Sequence, residues 1–242
     1  MFAAVRLIHC EGRAPFRQKN IISSEKISLG DDTFFFVIYA RVYKDKIPYE
    51  KIRAYAGGYS HTLIFPESRL TNISELDEIR LLKSSMAFLS RNAEKSSTGA
   101  LCIYDEKGLF CDYATKLLPL ASSLHVICPE KEKYIPVAEQ LLREYGAVMS
   151  LSDSWSTAAE GCSNVITKSC DILPLGYKGR VFTLESRTLP FADLITARGI
   201  RLPEKYEALL PEGIDRRVFA EALYVRCGLK ELTDCPFERL DY

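Results

Sequence analysis

Apolar and polar positions fall into two regimes along the chain. Residues 2–8, 19–29 and 33–43 are rich in β-forming side chains and are separated by turn residues such as Gly30, Asp31 and Asp32, which predicts antiparallel strands. Pro48 opens a short helix through Ala56, Gly57 and Gly58 end it, and 61–65 is extended again. An α+β module is therefore expected over 1–73. Ser74, with Asp77 three residues on, has capping-box spacing, and Ile79, Leu82, Met86 and Leu89 form one apolar helical stripe. That helix, over 74–97, is expected to link two domains.

From residue 98 the pattern changes to short apolar runs alternating with helical ones, the mark of a parallel sheet covered on both faces. Strands are predicted at 100–104, 124–128, 147–151, 164–167, 180–184 and 194–196. Helices are predicted over 109–118 and 133–145, the second stopped by Gly146, and a final amphipathic helix runs from Asp215 to Gly228. The fold expected is α/β: a Rossmann-like domain over 98–242 behind a small N-terminal α+β domain with antiparallel strands.

Composition narrows the function classes. In 242 residues, 32 basic and 32 acidic side chains cancel, so no long-range field favours nucleic acid or an anionic membrane. No apolar run reaches the roughly 20 residues of a membrane helix. An excess of positive charge in residues 1–66, with Arg13, Arg17 and Lys19 grouped, reads as a solvated face or a docking aid for an acidic partner. Arg6 interrupts the short apolar start, which is not a signal-peptide pattern, so a cytoplasmic chain is expected. The eight cysteines lack zinc spacing and read as core thiols, with Cys102 and Cys111 the first pair to consider for redox chemistry.

Residues 126–134 (VICPEKEKY) and 137–147 (VAEQLLREYGA) resemble the second strand, loop and helix of the nucleotide-binding half of shikimate-dehydrogenase-type enzymes. Residues 153–164 and 165–167 are similar to the segment leading to the fourth strand. The resemblance covers about 98–167 and implies a Rossmann-like sheet with NAD(P) at the turn after its first strand. At that turn dinucleotide binders carry G-x-G-x-x-G, whereas this chain reads Tyr104-Asp105-Glu106-Lys107-Gly108. Gly108 alone suits a tight turn, and Asp105 and Glu106 put negative charge where the pyrophosphate belongs. Like charges ~4 Å apart at an effective dielectric near 20 repel by about 4 kcal/mol. Cys128 stands where an acid would hold the ribose. The dinucleotide site reads as degenerate, with neither NAD(P) nor any other cofactor favoured.

Two functional readings follow. The first is a non-catalytic binding, regulatory or scaffold protein whose partner is an unidentified protein or small ligand. The second is an enzyme or ligand-binding protein using the same sheet edge for an atypically held nucleotide or for Mg²⁺, a hard cation suited to Asp105, Glu106, Asp112 and Asp153. Thr167, ending the fourth strand, makes that acidic edge resemble a receiver-domain pocket, although Leu184-Glu185-Ser186-Arg187 replaces the family's lysine. The competing structural reading is that these acids form turns and caps. Trp155, the only tryptophan, would stack on a ligand, anchor a partner or pack as a lid. His9, His61 and His125 fall in separate strands and read as packed side chains.

Overall fold

The computed structural model describes residues 1–12, 21–30, 32–44, 46–57, 62–92, 99–155, 157–187 and 189–241, without the side chains of Thr157 and Ala158. In chain order the elements are β1 (Ala3–Cys10), β2 (Ile22–Gly30), β3 (Thr33–Tyr43), α1 (Tyr49–Ala56), β4 (Leu63–Ile64), α2 (Glu75–Asn92), β5 (Leu101–Tyr104) and α3 (Ala114–Leu117). Then come β6 (Leu124–Ile127), α4 (Ile135–Tyr145), β7 (Met149–Ser152), α5 (Thr157–Glu160), β8 (Asn164–Ile166), β9 (Arg180–Thr183), β10 (Asp193–Arg198), α6 (Glu204–Glu207), α7 (Arg216–Cys227) and β11 (Arg239–Asp241). His61, Arg13, Arg17 and Lys19 lie outside the described residues.

These elements gather into two compact units, one of Met1–Asn72 with Leu202–Leu232, the other of Ile73–Arg201 with Thr233–Tyr242. This division differs from the sequence expectation twice. Helix α2 is not a free connector but an integral part of the second unit, and α7 belongs to the first.

The first unit holds a four-stranded sheet in the order β2-β3-β1-β4. The β2–β3 hairpin is antiparallel as expected, but β1 pairs in parallel with both β3 and β4, so the module is a mixed sheet. Alternation along β1 and β3 explains why. Ala3, Val5, Ile38 and Ala40 pack with Ile52 and Ala56 of α1 on one face. The intervening Phe2 and Phe35 stack at 5.0 Å and take the edge of Phe219 from α7 at 6.1 and 5.5 Å. A strand buried on both faces has no polar side to show, which is why β3 reads TFFFVIYARVY. Helix α7 is capped as its sequence foretells: the Asp215 carboxylate accepts from Arg217 N and Val218 N at 2.9 and 3.1 Å, and Gly228 turns left-handed after it.

The second unit holds a seven-stranded sheet ordered β7-β6-β5-β8-β9-β10-β11, parallel except for β11. Numbered by their own sequence, the six parallel strands run 3-2-1-4-5-6, the doubly wound Rossmann order, and the chain reverses direction across the sheet between β5 and β8. The helix expected over 109–118 is broken into a 3₁₀ turn at Cys111–Tyr113, the four residues of α3 and another 3₁₀ turn at Leu118–Leu120, where Pro119 withholds a backbone donor. Helix α4 ends at Gly146, whose left-handed conformation (φ 64°) lets its N–H reach Leu142 O at 3.0 Å.

Helix α2 is buried all round its first half, charges included. Arg80 is 1% exposed: its guanidinium donates to Asp77 Oδ1 (2.8 Å), Cys235 O (3.0 Å), Gly199 O (3.0 Å) and Pro236 O (3.1 Å) while lying 4.0 Å above the Phe237 ring. This clasp ties the helix to the segment leaving β10 and the segment entering β11. Farther along, Phe88 meets Phe182 of β9 edge-on at 5.5 Å.

Candidate functional site

In a doubly wound sheet the ligand crevice lies at the carboxyl ends of the strands flanking the reversal, here β5 and β8. The turn leaving β5 is organised around Asp105, which is fully buried. Its Oδ1 accepts the Leu109 N–H at 2.9 Å, and its Oδ2 accepts the Phe110 N–H at 2.8 Å and the Tyr134 hydroxyl at 2.5 Å. Burial, followed by the neighbouring Asp105 charge and this bond, pushes the Tyr134 hydroxyl far above its ordinary range, so it remains a donor. The backbone amides that a dinucleotide-binding turn offers to pyrophosphate are thus spent on a carboxylate from within the turn.

The loop leaving β8 repeats the arrangement. Glu185, just past β9, accepts the Cys170 N–H at 3.1 Å and the Ser169 hydroxyl at 2.9 Å. Thr167 is buried, donating its hydroxyl to Ser169 O at 2.6 Å and accepting the Ser169 N–H at 3.3 Å. At both loops of the reversal point, backbone donors are therefore taken by the protein's own carboxylates, Asp105 from within the first turn and Glu185 from the segment after β9.

Between them sits an ion cluster. Lys168 pairs closely with Glu106 and lies 3.8 Å from Glu78 of α2, while Lys107 pairs with Glu75 at 3.6 Å. Glu78 is 2% exposed, and its Oε1 has no hydrogen-bond donor among the described residues. Burial raises its carboxyl above the usual range, only partly opposed by the Lys168 and Lys107 charges. The Lys168 bond holds the Glu106 carboxyl below that range. Burial would pull the Lys168 ammonium down, but its bond to Glu106 and the two acidic charges outweigh burial and raise it.

The other sequence candidates disperse. Gly108 has φ 68°, and a Cβ there would sit 2.5 Å from Lys133 Cδ, so the turn is closed over by the lysine stem. Asp112 is exposed in the 3₁₀ turn after it. Asp153 is exposed beyond β7, 3.6 Å from Lys131 Nζ. Trp155 is half-buried, edge-on to Tyr177 at 5.9 Å, packed on the cluster formed by Cys102, Ile127, Cys162 and Val165. That is the lid arrangement rather than the exposed anchor. His125 is buried with Nε2 3.2 Å from Ser152 Oγ, and burial lowers its pKa; His9 is exposed on β1. Cys102 lies with Cys162, not with Cys111, whose thiol donates to Lys133 O at 3.6 Å.

Sequence reasoning missed Glu78, Tyr134 and Lys168. Glu78 was hidden beside a helix's apolar stripe, where a charge reads as solvent-facing. The available signal was the run 76–82, in which Asp77, Glu78 and Arg80 crowd against Leu76, Ile79, Leu81 and Leu82 too densely for one polar face.

Among the described residues no group of three or more His, Cys, Asp or Glu is arranged to hold a metal ion, and no helix is long and apolar enough to cross a membrane. No protein-family model and no curated protein matches the sequence. Among solved structures the chain is similar to the crystal structure of L-tryptophan dehydrogenase from Nostoc punctiforme, with 12% identity and a TM-score of 0.32, over 75% of this chain and 62% of the length of that one. By its own strand order, the chain is an α/β protein with a Rossmann-like, parallel-dominated sheet and a second, smaller mixed sheet.

Proposed function

We propose that the protein is a cytoplasmic, non-catalytic binding or regulatory protein whose Rossmann-like crevice has been given over to its own side chains. The observation that carries this reading is Asp105: its buried carboxylate accepts the Leu109 and Phe110 amides and the Tyr134 hydroxyl, occupying the place of a bound anion. The residues present do not fit a dinucleotide. A phosphate approaching this turn would meet spent donors, the Asp105 and Glu106 charges and the stem of Lys133 over Gly108. They suit Mg²⁺ no better, since Asp105 already holds three donors and Asp153 is drawn to Lys131. Electrostatic balance also disfavours a phosphate, because Glu75, Glu78, Asp105 and Glu106 outnumber Lys107 and Lys168 at the edge.

Calorimetric titration of the full chain with NAD(H), NADP(H) and MgCl₂ tests the reading. No saturable heat is expected at ligand concentrations up to about 1 mM, which bounds binding to weaker than about −4 kcal/mol. Micromolar affinity for either cofactor or for Mg²⁺ overturns it and restores the enzymatic alternative at the same edge.

A further inference from the structure

Successive residues of β10 point to opposite faces of the Rossmann-like sheet. Ile195 and Ala197 face α2 and line a small, largely apolar void with Leu81 and Phe88. Leu194, Thr196 and Arg198 line an open hollow of about 530 Å³ on the other face, a size suited to a small molecule. The connection from β9 to β10, residues 184–192, contains no helix among its described residues, so this face lacks the cover that a doubly wound sheet carries. Leu189 and Ala192 of that connection pack beside Leu194 on the cluster on which Trp155 rests, which gives the hollow an apolar end.

The polar end of the hollow is unfinished. Thr196 is 5% exposed, and its hydroxyl has no hydrogen-bond partner among the described residues. A buried hydroxyl ordinarily has one, and the direction left to this side chain is the hollow it lines. Arg198, the next residue on the same face, stands directly opposite Arg239 of β11, a like-charge arrangement that disfavours a cross-strand pair. The carboxylates nearby are committed to other arginines. Asp241 pairs with Arg239 at 3.0 Å, Asp193 with Arg180 at 2.9 Å, and Asp171 with Arg187. Arg198 has no such partner among the described residues, so one positive charge is left over.

We propose that this hollow binds a small organic carboxylate with an apolar tail. The Arg198 guanidinium takes the carboxylate in its fork, the Thr196 hydroxyl donates to the same group, and the tail lies on Leu194, Leu189 and Ala192. Strand spacing sets the length of the ligand. Alternate residues of β10 stand about 7 Å apart, so a carboxylate held at Thr196 places a chain the size of hexanoate against Leu194. Charge selects a monoanion. One carboxylate balances the single unpaired arginine, whereas the second charge of a phosphate would face Asp193 and Asp241, which border the hollow. The site lies two strands beyond β8, so the proposal is independent of whether the crevice between β5 and β8 is closed.

The test titrates hexanoate into the isotope-labelled full chain and follows backbone amide shifts by NMR. Saturable shifts are expected at Leu189, Thr196 and Arg198, with a dissociation constant of about 1 mM or below. Hexanol, which has the tail without the charge, and inorganic phosphate, which has charge without the tail, should each bind there at least about tenfold more weakly. Arg198→Gln should weaken hexanoate by about tenfold, and Thr196→Val, which keeps the shape and removes the hydroxyl, by about threefold. The proposal is overturned by the absence of saturable shifts at those residues up to about 10 mM hexanoate. It is equally overturned if hexanol or phosphate binds there as tightly as hexanoate, or if a folded variant keeps the wild-type affinity. Arg198 is exposed, so its replacement leaves the packing intact, and that variant with the wild-type map decides the matter even if Thr196→Val folds poorly.

Discussion

Replacing Asp105 with alanine separates a structural carboxylate from a functional one. The substitution leaves the Leu109 N–H, the Phe110 N–H and the Tyr134 hydroxyl without their acceptor in a place closed to water. A hydrogen bond to a charged group contributes about 1.5–3 kcal/mol, so three independent ones would total roughly 4.5–9 kcal/mol. They share one carboxylate, and deleting it also removes the cost of burying a charge, so the net loss expected is about 3–5 kcal/mol. Asp105→Asn should cost less, because its carbonyl still accepts one amide while its NH₂ can donate to the Tyr134 oxygen. Trp155 is the only tryptophan and lies in the Rossmann-like unit, so its emission during urea unfolding reports that unit alone. With slopes of about 1–3 kcal/mol per M, the alanine midpoint should fall by about 1–5 M. Amide hydrogen exchange at Leu109 and Phe110 should accelerate in the same variant. A loss below about 1 kcal/mol, or unchanged protection at those two amides, would refute the reasoning. A gain in stability would point to a functional site, since such sites are held at a cost to the fold.

Arg80→Met should destabilise the same unit by about 3–5 kcal/mol, because it removes the buried ion pair with Asp77 and the donors to three backbone carbonyls. Urea midpoints check this, and adding Asp77→Leu should recover part of the loss; no recovery would mean that the carbonyl contacts matter more than the pair. Glu78→Gln should raise stability at pH 7. Because burial raises the folded pKa of Glu78, its charged form opposes folding, so wild-type stability should fall as pH rises from below its ordinary value near 4.5 through the raised folded value. The Gln variant should lack that part of the fall between pH 4 and 7, and a less stable variant at pH 7 would show that the Lys168 pair outweighs burial.

Legibility in the sequence followed the range of the interactions. Helix ends were readable because Asp215, Gly146 and Gly228 act within one turn of where they stand. The alternation of strands and helices after residue 98 led to the doubly wound sheet because short crossovers leave few other topologies. Parallel pairing of β1 with β3 and the docking of α7 on Phe2 and Phe35 were not readable, because an apolar stripe says that a face is covered but not by what. At the site, Asp105 was legible as an obstacle to phosphate. Its inward turn was not, since that depends on Tyr134 reaching it from 29 residues away.

The first compact unit is assembled from the two separated stretches Met1–Asn72 and Leu202–Leu232, and this sets a timetable for synthesis. Strands β1 to β4 leave the ribosome early, with α1 available at once to cover Val5 and Ile38. The opposite face, bearing Phe2 and Phe35, has to wait for Phe219. The roughly 130 intervening residues take about 6–25 s to add at ~5–20 residues per second. During that interval the nascent sheet presents stacked aromatic rings to solvent, a surface suited to a holding chaperone, while the inserted Rossmann-like segment emerges and begins to collapse.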